Sequence, residues 1–477
     1  MRMQLAGIAL ALGASVWAEA ARGTEAAGLA LPADSVLTRL IAESLAARPE
    51  IAAAEARLAA RAEAIPQAGA LPDPMLEVGI QNDGFSELQI GSMENSTVTL
   101  MASQALPWPG KRGLRTEVAA LGAEVARSDL ARAHLATEAA VRRAYLELLL
   151  ARERLTLLAE LESIWKQAGE AAAARYEAGG GAQADLLRAQ LELSRLAQGR
   201  VALLAAERLQ IQALNRLRAR GLDEPIATTA RLRAMGAPAL AEPTAVETAL
   251  ADAFARSPEL AAARLAQQAA DRSRALAGKS YYPDLVLKAG LMPRGGDFEP
   301  MWTFSMGASL PLFAGRKQAR AVAESEALSQ AGRHEAAAVE QLLRLRVEER
   351  LGLLAALAET IRLYESGLLI QSEALVASTL AGYGAGQLGF AALAEASAGY
   401  LADEDAYLAA LADAQRLLIA AVEISLDPVV APGVAMAGAA MPGMAAPGQA
   451  SGMASGRASS DAPANPAAGA TTPMPGM

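Results

Sequence analysis

Apolar residues recur on two different periods along this chain. From Ser35 to Ala64 they fall at helical spacing, with Pro49 marking a break inside "AARPEIAAAEARL" and Pro66 predicting the end of the helix. Met75 to Gln81 then alternates, with Leu76, Val78 and Ile80 on one side and Glu77, Gly79 and Gln81 on the other, which is the period of a strand. After a polar loop a second strand is predicted from Thr97 to Ser103, with Val98, Leu100 and Ala102 sharing one side. "ALPWPGKR" (Ala105 to Arg112) ends it and starts the next helix. Gly113 to Ala178 contains no proline, and at about 1.5 Å per residue a helix over this run extends close to 100 Å. Three glycines in "YEAGGGAQAD" (Tyr176 to Asp185) break it, and a return helix follows from Asp185 to about Ala219.

The same order then comes again. "ARSPELAAARL" answers "ARPEIAAAEARL", "PDLVLKAGL" answers "PDPMLEVGI", "SLPLFAGRK" answers "ALPWPGKR", and "YGAGQLGFAAL" answers "YEAGGGAQADL". Four landmarks in one order, about 204 to 211 positions apart, point to an internal duplication. In the second half Trp302, Phe304, Met306, Ala308 and Leu310 alternate with Thr303, Ser305, Gly307 and Ser309. The expected organisation is a signal peptide (1–20), a first repeat (21–220), an inter-repeat linker (221–244), a second repeat (245–427) and a tail (428–477).

Each half thus offers two strands, apolar on one side and small or polar on the other. A soluble hairpin packed on helices gives the same alternation. The lengths also approach the roughly 9–11 residues that a tilted membrane strand needs, and Thr, Ser, Gly, Gln, Glu and Lys opposite the apolar side suit a water-filled lumen. In hydrocarbon an open sheet edge leaves peptide groups unpaired, so spanning strands close into a ring. Four strands are too few, since the smallest membrane barrels have about eight. A barrel built from this chain is therefore expected to be shared between copies. Leu76, Val78, Ile80, Val98, Leu100, Trp302, Phe304 and Met306 are then the lipid-facing candidates, and Thr99, Ser103, Thr303 and Ser305 the lumen side.

Composition narrows the chemistry. The 477 residues carry a formal net charge of -9, which argues against nucleic acid as a partner because phosphate binding needs a basic face. There is no cysteine, hence no thiol chemistry, thiolate metal site or disulfide. "MRMQLAGIALALGASVWAEA" has a basic start, an apolar run of about a dozen residues and small residues at Val16, Ala18 and Ala20, the secretory signal pattern, with cleavage expected after Ala18 or Ala20. The two histidines, His134 and His334, have neither a cysteine nor a second histidine at helical spacing, so a structural role outweighs zinc binding, and no enzyme constellation or cofactor is expected. The tail is built from Ala, Gly, Pro, Ser and Met, a composition too poor in apolar bulk to fold alone. Its Met436, Met441 and Met444 are soft thioethers suited to Cu(I), which makes them weak metal candidates.

"ALPDPMLEVGIQND", "QALPWPGKR" and the two breaks that follow Tyr176 and Tyr383 resemble the TolC-like outer membrane efflux family, above all its heavy-metal branch, over about residues 35 to 425. The resemblance implies a mainly α fold with a small membrane β part. It implies that three copies form a 12-stranded β-barrel in the outer membrane, continued by a periplasmic barrel of coiled-coil helices. It also implies a passive exit duct, working with a periplasmic adaptor and an inner-membrane resistance-nodulation-division transporter. The resemblance places the hairpin tips at the periplasmic end, where Gly179, Gly180, Gly181 and Gln183 match in the first repeat and Gly384, Gly386, Gln387 and Leu388 in the second. It makes Asp185 and Glu395 aperture acids, while Ala392 stands where the family often has aspartate. A solvated helix face accounts for both acids equally well. The alternatives in other classes are a soluble periplasmic coiled-coil scaffold and a metal chaperone working through its methionine tail.

Overall fold

The computed structural model describes residues 34–238 and 245–429. The signal segment 1–20 and Met436, Met441 and Met444 lie outside the described residues. In chain order the first half contains α1 (Ser35–Ala47), α2 (Pro49–Gly69), β1 (Met75–Gln81), β2 (Thr97–Leu106), α3 (Lys111–Glu177) and α4 (Gln183–Leu217). A 3-10 turn (Leu232–Met235) lies between the halves. The second half repeats the order with α5 (Ala245–Arg256), α6 (Pro258–Gly278), β3 (Leu285–Met292), β4 (Met301–Ala308), α7 (Gln318–Leu363), a π-helical turn (Tyr364–Leu368), α8 (Leu369–Gly384) and α9 (Phe390–Glu423).

Proline at the first helical position opens both α2 and α6, where a missing N–H costs nothing and the fixed φ already suits a helix. Ser257 adds a side-chain cap to α6 by accepting from the Leu260 amide. Pro66 does not end α2 as the sequence suggested, because the helix runs through it to Gly69. So near the helix end only one intrahelical bond is lost, and the ring clash falls on a single preceding carbonyl. β2 extends three residues past Ser103 to Leu106, where Pro107 stops it, and β4 stops at Ala308 short of Leu310. The 67-residue α3 is unbroken. Its counterpart from Gln318 to Gly384 contains the π-turn, which carries no proline or glycine signal at its start and was not anticipated.

All four strands form one antiparallel sheet in the order β1-β2-β3-β4, so the two hairpins are joined through a β2–β3 seam between the halves. Register holds the faces apart. Leu76 pairs with Ala102, Val78 with Leu100 and Ile80 with Val98; Leu100 pairs with Leu291; Leu291 pairs with Trp302, Ala289 with Phe304 and Leu287 with Met306. Directly paired residues point to the same side of a sheet, so these side chains make one continuous apolar face.

The helical core lies at a distance from this sheet. Tyr145, Leu146, Leu148, Leu149, Leu157 and Leu161 of α3 are buried against Leu408, Leu411, Leu418 and Ile419 of α9, with Leu214 of α4 and Leu37 and Leu40 of α1 closing it. Asp34 caps α1 by accepting from the Val36 amide at 2.9 Å, and it also accepts from the Tyr145 and Thr229 hydroxyls. Burial raises its carboxyl, but these donors outweigh burial and hold it below the usual carboxylate range.

Candidate functional site

Two regions are built for something other than packing, the sheet and the hairpin tips. On the sheet the apolar face is uncovered. Leu76 is 68% exposed, Trp302 76% and Phe304 63%, with Val78, Ile80, Leu100 and Met306 also exposed and Val98 half-buried. The eight lipid-facing candidates therefore all lie on one face. The opposite side carries Thr99, Ser103, Thr303 and Ser305, together with Glu77, Gln81 and Lys288, while its larger apolar members, Met75, Met101, Val286, Met292 and Met301, lie mostly toward the strand ends. Isolated exposed apolar residues are ordinary, but a contiguous patch of this kind marks a surface that meets lipid or protein. The outer edges of β1 and β4 are unpaired among the described residues. No helix of the described residues is long and apolar enough to cross a membrane.

At its base the sheet is locked to the long helix. The Lys111 ammonium, buried at the start of α3, lies 2.8 Å from Asp284 Oδ1 and donates to the Tyr282 carbonyl at 3.0 Å. Asp284 also accepts from the Trp108 amide at 2.7 Å, and the Trp108 and Tyr282 rings stack with centroids 5.3 Å apart. "ALPWPGKR" and "YPDL" thus meet in space as a clasp across the seam, a contact no local pattern announced.

The tips lie at the far end of α3, α4, α8 and α9. Gly179 (φ +78°) and Gly386 (φ +75°) adopt the left-handed conformation that stops each outgoing helix, and Gly180 donates back to the Arg175 carbonyl at 2.9 Å. A Cβ at Gly181 would lie 2.9 Å from the Arg175 carbonyl carbon and the Tyr176 nitrogen, so no larger residue fits there. Gln183 begins α4, Gln387 donates its amide to Gly382 O at 2.9 Å, Leu388 covers Gly382, and Gly384 ends α8.

The two tips grip one another through Tyr383, which is 1% exposed. Arg175 donates to the Tyr383 carbonyl at 3.0 Å and places its guanidinium 4.8 Å from the ring centroid. Phe390 meets the same ring edge-on at 5.7 Å and reaches Trp165 of α3 at 5.7 Å. Burial, then the charge of Asp185 and its hydrogen bond, raise the Tyr383 hydroxyl above its usual range against the lowering pull of Arg175. Asp185 also faces Arg188 at 3.7 Å and keeps only a fifth of its side chain in solvent. The two candidate acids accordingly differ. Asp185 is engaged within its own chain, whereas Glu395 stands exposed on α9. Arg175 and Trp165, which no sequence motif marks, hold the tips together with Tyr383, the tyrosine that precedes the second glycine turn.

No group of three or more histidine, cysteine or acidic side chains is arranged to hold a metal among the described residues. His134 is half-buried on α3 and His334 exposed on α7.

A family model described as "Outer membrane efflux protein" matches residues 40–220 and 249–422. No curated protein matches the sequence significantly. Among solved structures the chain is similar to the outer-membrane channel OprN (19% identity, TM-score 0.67, covering 83% of this chain and 91% of that one). It is similar also to the outer membrane protein VceC of Vibrio cholerae (18%, 0.68, 83% and 97%) and to CusC, described as forming a transmembrane channel (16%, 0.66, 82% and 92%). At these identities the likeness is one of fold.

Proposed function

The chain belongs to the outer membrane efflux protein family, and from that premise we propose that three copies of it form the exit duct of a tripartite efflux pump. The four strands of each copy contribute to a 12-stranded barrel in the outer membrane. The long helices continue it as a periplasmic barrel whose tips meet an adaptor, which connects to an inner-membrane resistance-nodulation-division transporter. The duct is passive and carries no bond chemistry of its own.

One observation carries this reading: a sheet with an uncovered apolar face and two unpaired edges. Such a sheet is stable neither in water, where its face is exposed, nor alone in lipid, where its edges are. Closure with further copies in a bilayer satisfies both. Heavy-metal cations are the proposed substrate class, supported by the motif resemblance and by the soft methionines of the tail. On this reading the mature protein stays dispersed only in detergent. A strain lacking it gains metal sensitivity, and one lacking only residues 428–477 changes little. Dispersion in plain buffer would point to a periplasmic scaffold instead, and loss of metal tolerance on removal of the tail alone would point to a chaperone.

The tip contact is the proposed restraint on the periplasmic aperture. Arg175→Ala removes a hydrogen bond and a cation–π contact, each worth about 0.5–1.5 kcal/mol, and Tyr383→Phe removes the bond to Asp185. The double variant is expected to show longer or larger openings in planar-bilayer recordings than the parent. Conductance identical to the parent's would remove the contact from the gate.

A further inference from the structure

The two hairpins have the same register. Leu76–Ala102, Val78–Leu100 and Ile80–Val98 in the first correspond to Leu287–Met306, Ala289–Phe304 and Leu291–Trp302 in the second, which makes β3 the counterpart of β1 and β4 the counterpart of β2. The β2–β3 seam inside the chain therefore has a counterpart that a single copy cannot make, β4 against β1. Transposing the observed pairs gives its register. Leu100–Leu291 becomes Phe304 opposite Ile80 of a second copy, and Ala102–Ala289 becomes Met306 opposite its Val78. This keeps the apolar face continuous across the junction, because all four of these side chains lie on that face.

The clasp has a counterpart as well. In "LPLFAGRK" Leu312 stands for Trp108 and Arg316 for Lys111, with one extra residue in the turn; in "ALPDP" Leu71 stands for Tyr282 and Asp73 for Asp284. Inside the chain the four residues of the original clasp are stacked and ion-paired. Leu71 and Leu312 are instead exposed, and Asp73 and Arg316 are exposed with no side-chain bond among the described residues. An aliphatic pair replaces the aromatic pair, a guanidinium replaces the ammonium, and the carboxylate is kept. We propose that β4 pairs with β1 of a second copy in this register, and that Leu312 and Arg316 close the junction on Leu71 and Asp73 of that copy. This rests on the shared-barrel reading and adds to it which residues meet.

The absence of cysteine makes the register directly testable, since only introduced thiols can bridge. The Val98 amide donates to the Pro293 carbonyl at 3.0 Å, which fixes the alternation of hydrogen-bonded pairs along the seam. By transposition Gln81 and Thr303 fall on a non-hydrogen-bonded pair, with Cα atoms about 4.5 Å apart and within disulfide reach. Within one copy they sit on opposite edges of the sheet, about 14 Å apart at three strand spacings. Full-length Gln81→Cys/Thr303→Cys, oxidised in outer-membrane preparations, is expected to run as a covalent trimer that dithiothreitol reverses. Glu77→Cys/Thr303→Cys, displaced by four residues, is expected to stay at the single-chain position. Asp73→Arg is expected to lower the temperature at which the trimer survives in dodecyl sulfate, and adding Arg316→Asp to restore it. A displaced pair that cross-links as well as the proposed one overturns the register. A charge-reversed double variant no more stable than the single one overturns the clasp. If the cysteine pair fails to bridge in protein that still sediments as a trimer in detergent, the register is wrong and the duct reading stands; a single chain under those conditions removes both.

Discussion

Arg233→Ala is expected to cost about 2–3 kcal/mol of folding free energy. Arg233 belongs to the short 3-10 turn between the halves, and it is the bridge through which that connection holds both of them. Its Nη2 lies 2.7 Å from Glu404 of α9 and its Nε 3.6 Å from Glu153 of α3, two carboxylates that are each less than a tenth exposed. Its guanidinium also lies 6.0 Å from the centre of the Tyr407 ring. Burial pulls the guanidinium pKa down, but the charges of Glu404 and Glu153 more than reverse that and raise it. Removing one member of a buried ion pair costs about 3–5 kcal/mol because the partner is left charged without compensation. Arg233 keeps about a third of its side chain in solvent, so water can enter the vacated space and the loss falls below that range. Thermal unfolding in detergent reads the effect. Glu153→Gln/Glu404→Gln on the alanine background should recover part of the loss, and no recovery would mean the cost arises from packing rather than from charge.

Phe304→Arg is expected to abolish recovery of the protein from the outer-membrane fraction. Phe304 sits mid-strand on the uncovered face, opposite Ala289. An arginine at the midplane of a barrel's lipid face costs about 2–4 kcal/mol, and the barrel proposed above would incur that once per copy. Ser305→Arg, one residue away on the other face, is the matched control. On the shared-barrel reading its charge enters the lumen, so membrane recovery should match the parent while ion selectivity shifts. Equal behaviour of the two variants would mean that the sheet does not face lipid on one side only.

Both predictions depend on features of different legibility. The sheet faces were readable residue by residue, because an alternating run such as Leu76, Val78, Ile80 records which side of a strand is apolar whatever its partner. The tips were readable for a similar local reason, since Gly179 and Gly386 adopt backbone angles that few other residues tolerate. What stayed hidden is everything set by contacts between distant segments. Nothing in "LRAM" foretells that Arg233 spans two helices, and nothing near Asp185 says that it faces Tyr383 of the other hairpin rather than an open aperture. The β2–β3 seam and the Lys111–Asp284 clasp escaped for the same reason, because pairing partners lie outside any window in which periodicity is defined. Pro66 misled because its rule is strong in helix interiors and weak in the last turn.

The π-turn at Tyr364–Leu368 is one place where the two halves differ. A π-turn takes in an additional residue without breaking the helix, and α geometry resumes beyond it with later side chains rotated by about 100°. In this molecule the widened turn presents Glu365 to the Tyr407 hydroxyl at 3.0 Å and Tyr364 to the Tyr407 ring at 6.1 Å. The later side chains of α8 are therefore turned relative to those of an uninterrupted helix, and it is from this turned stretch that Tyr383 enters the contact with Arg175.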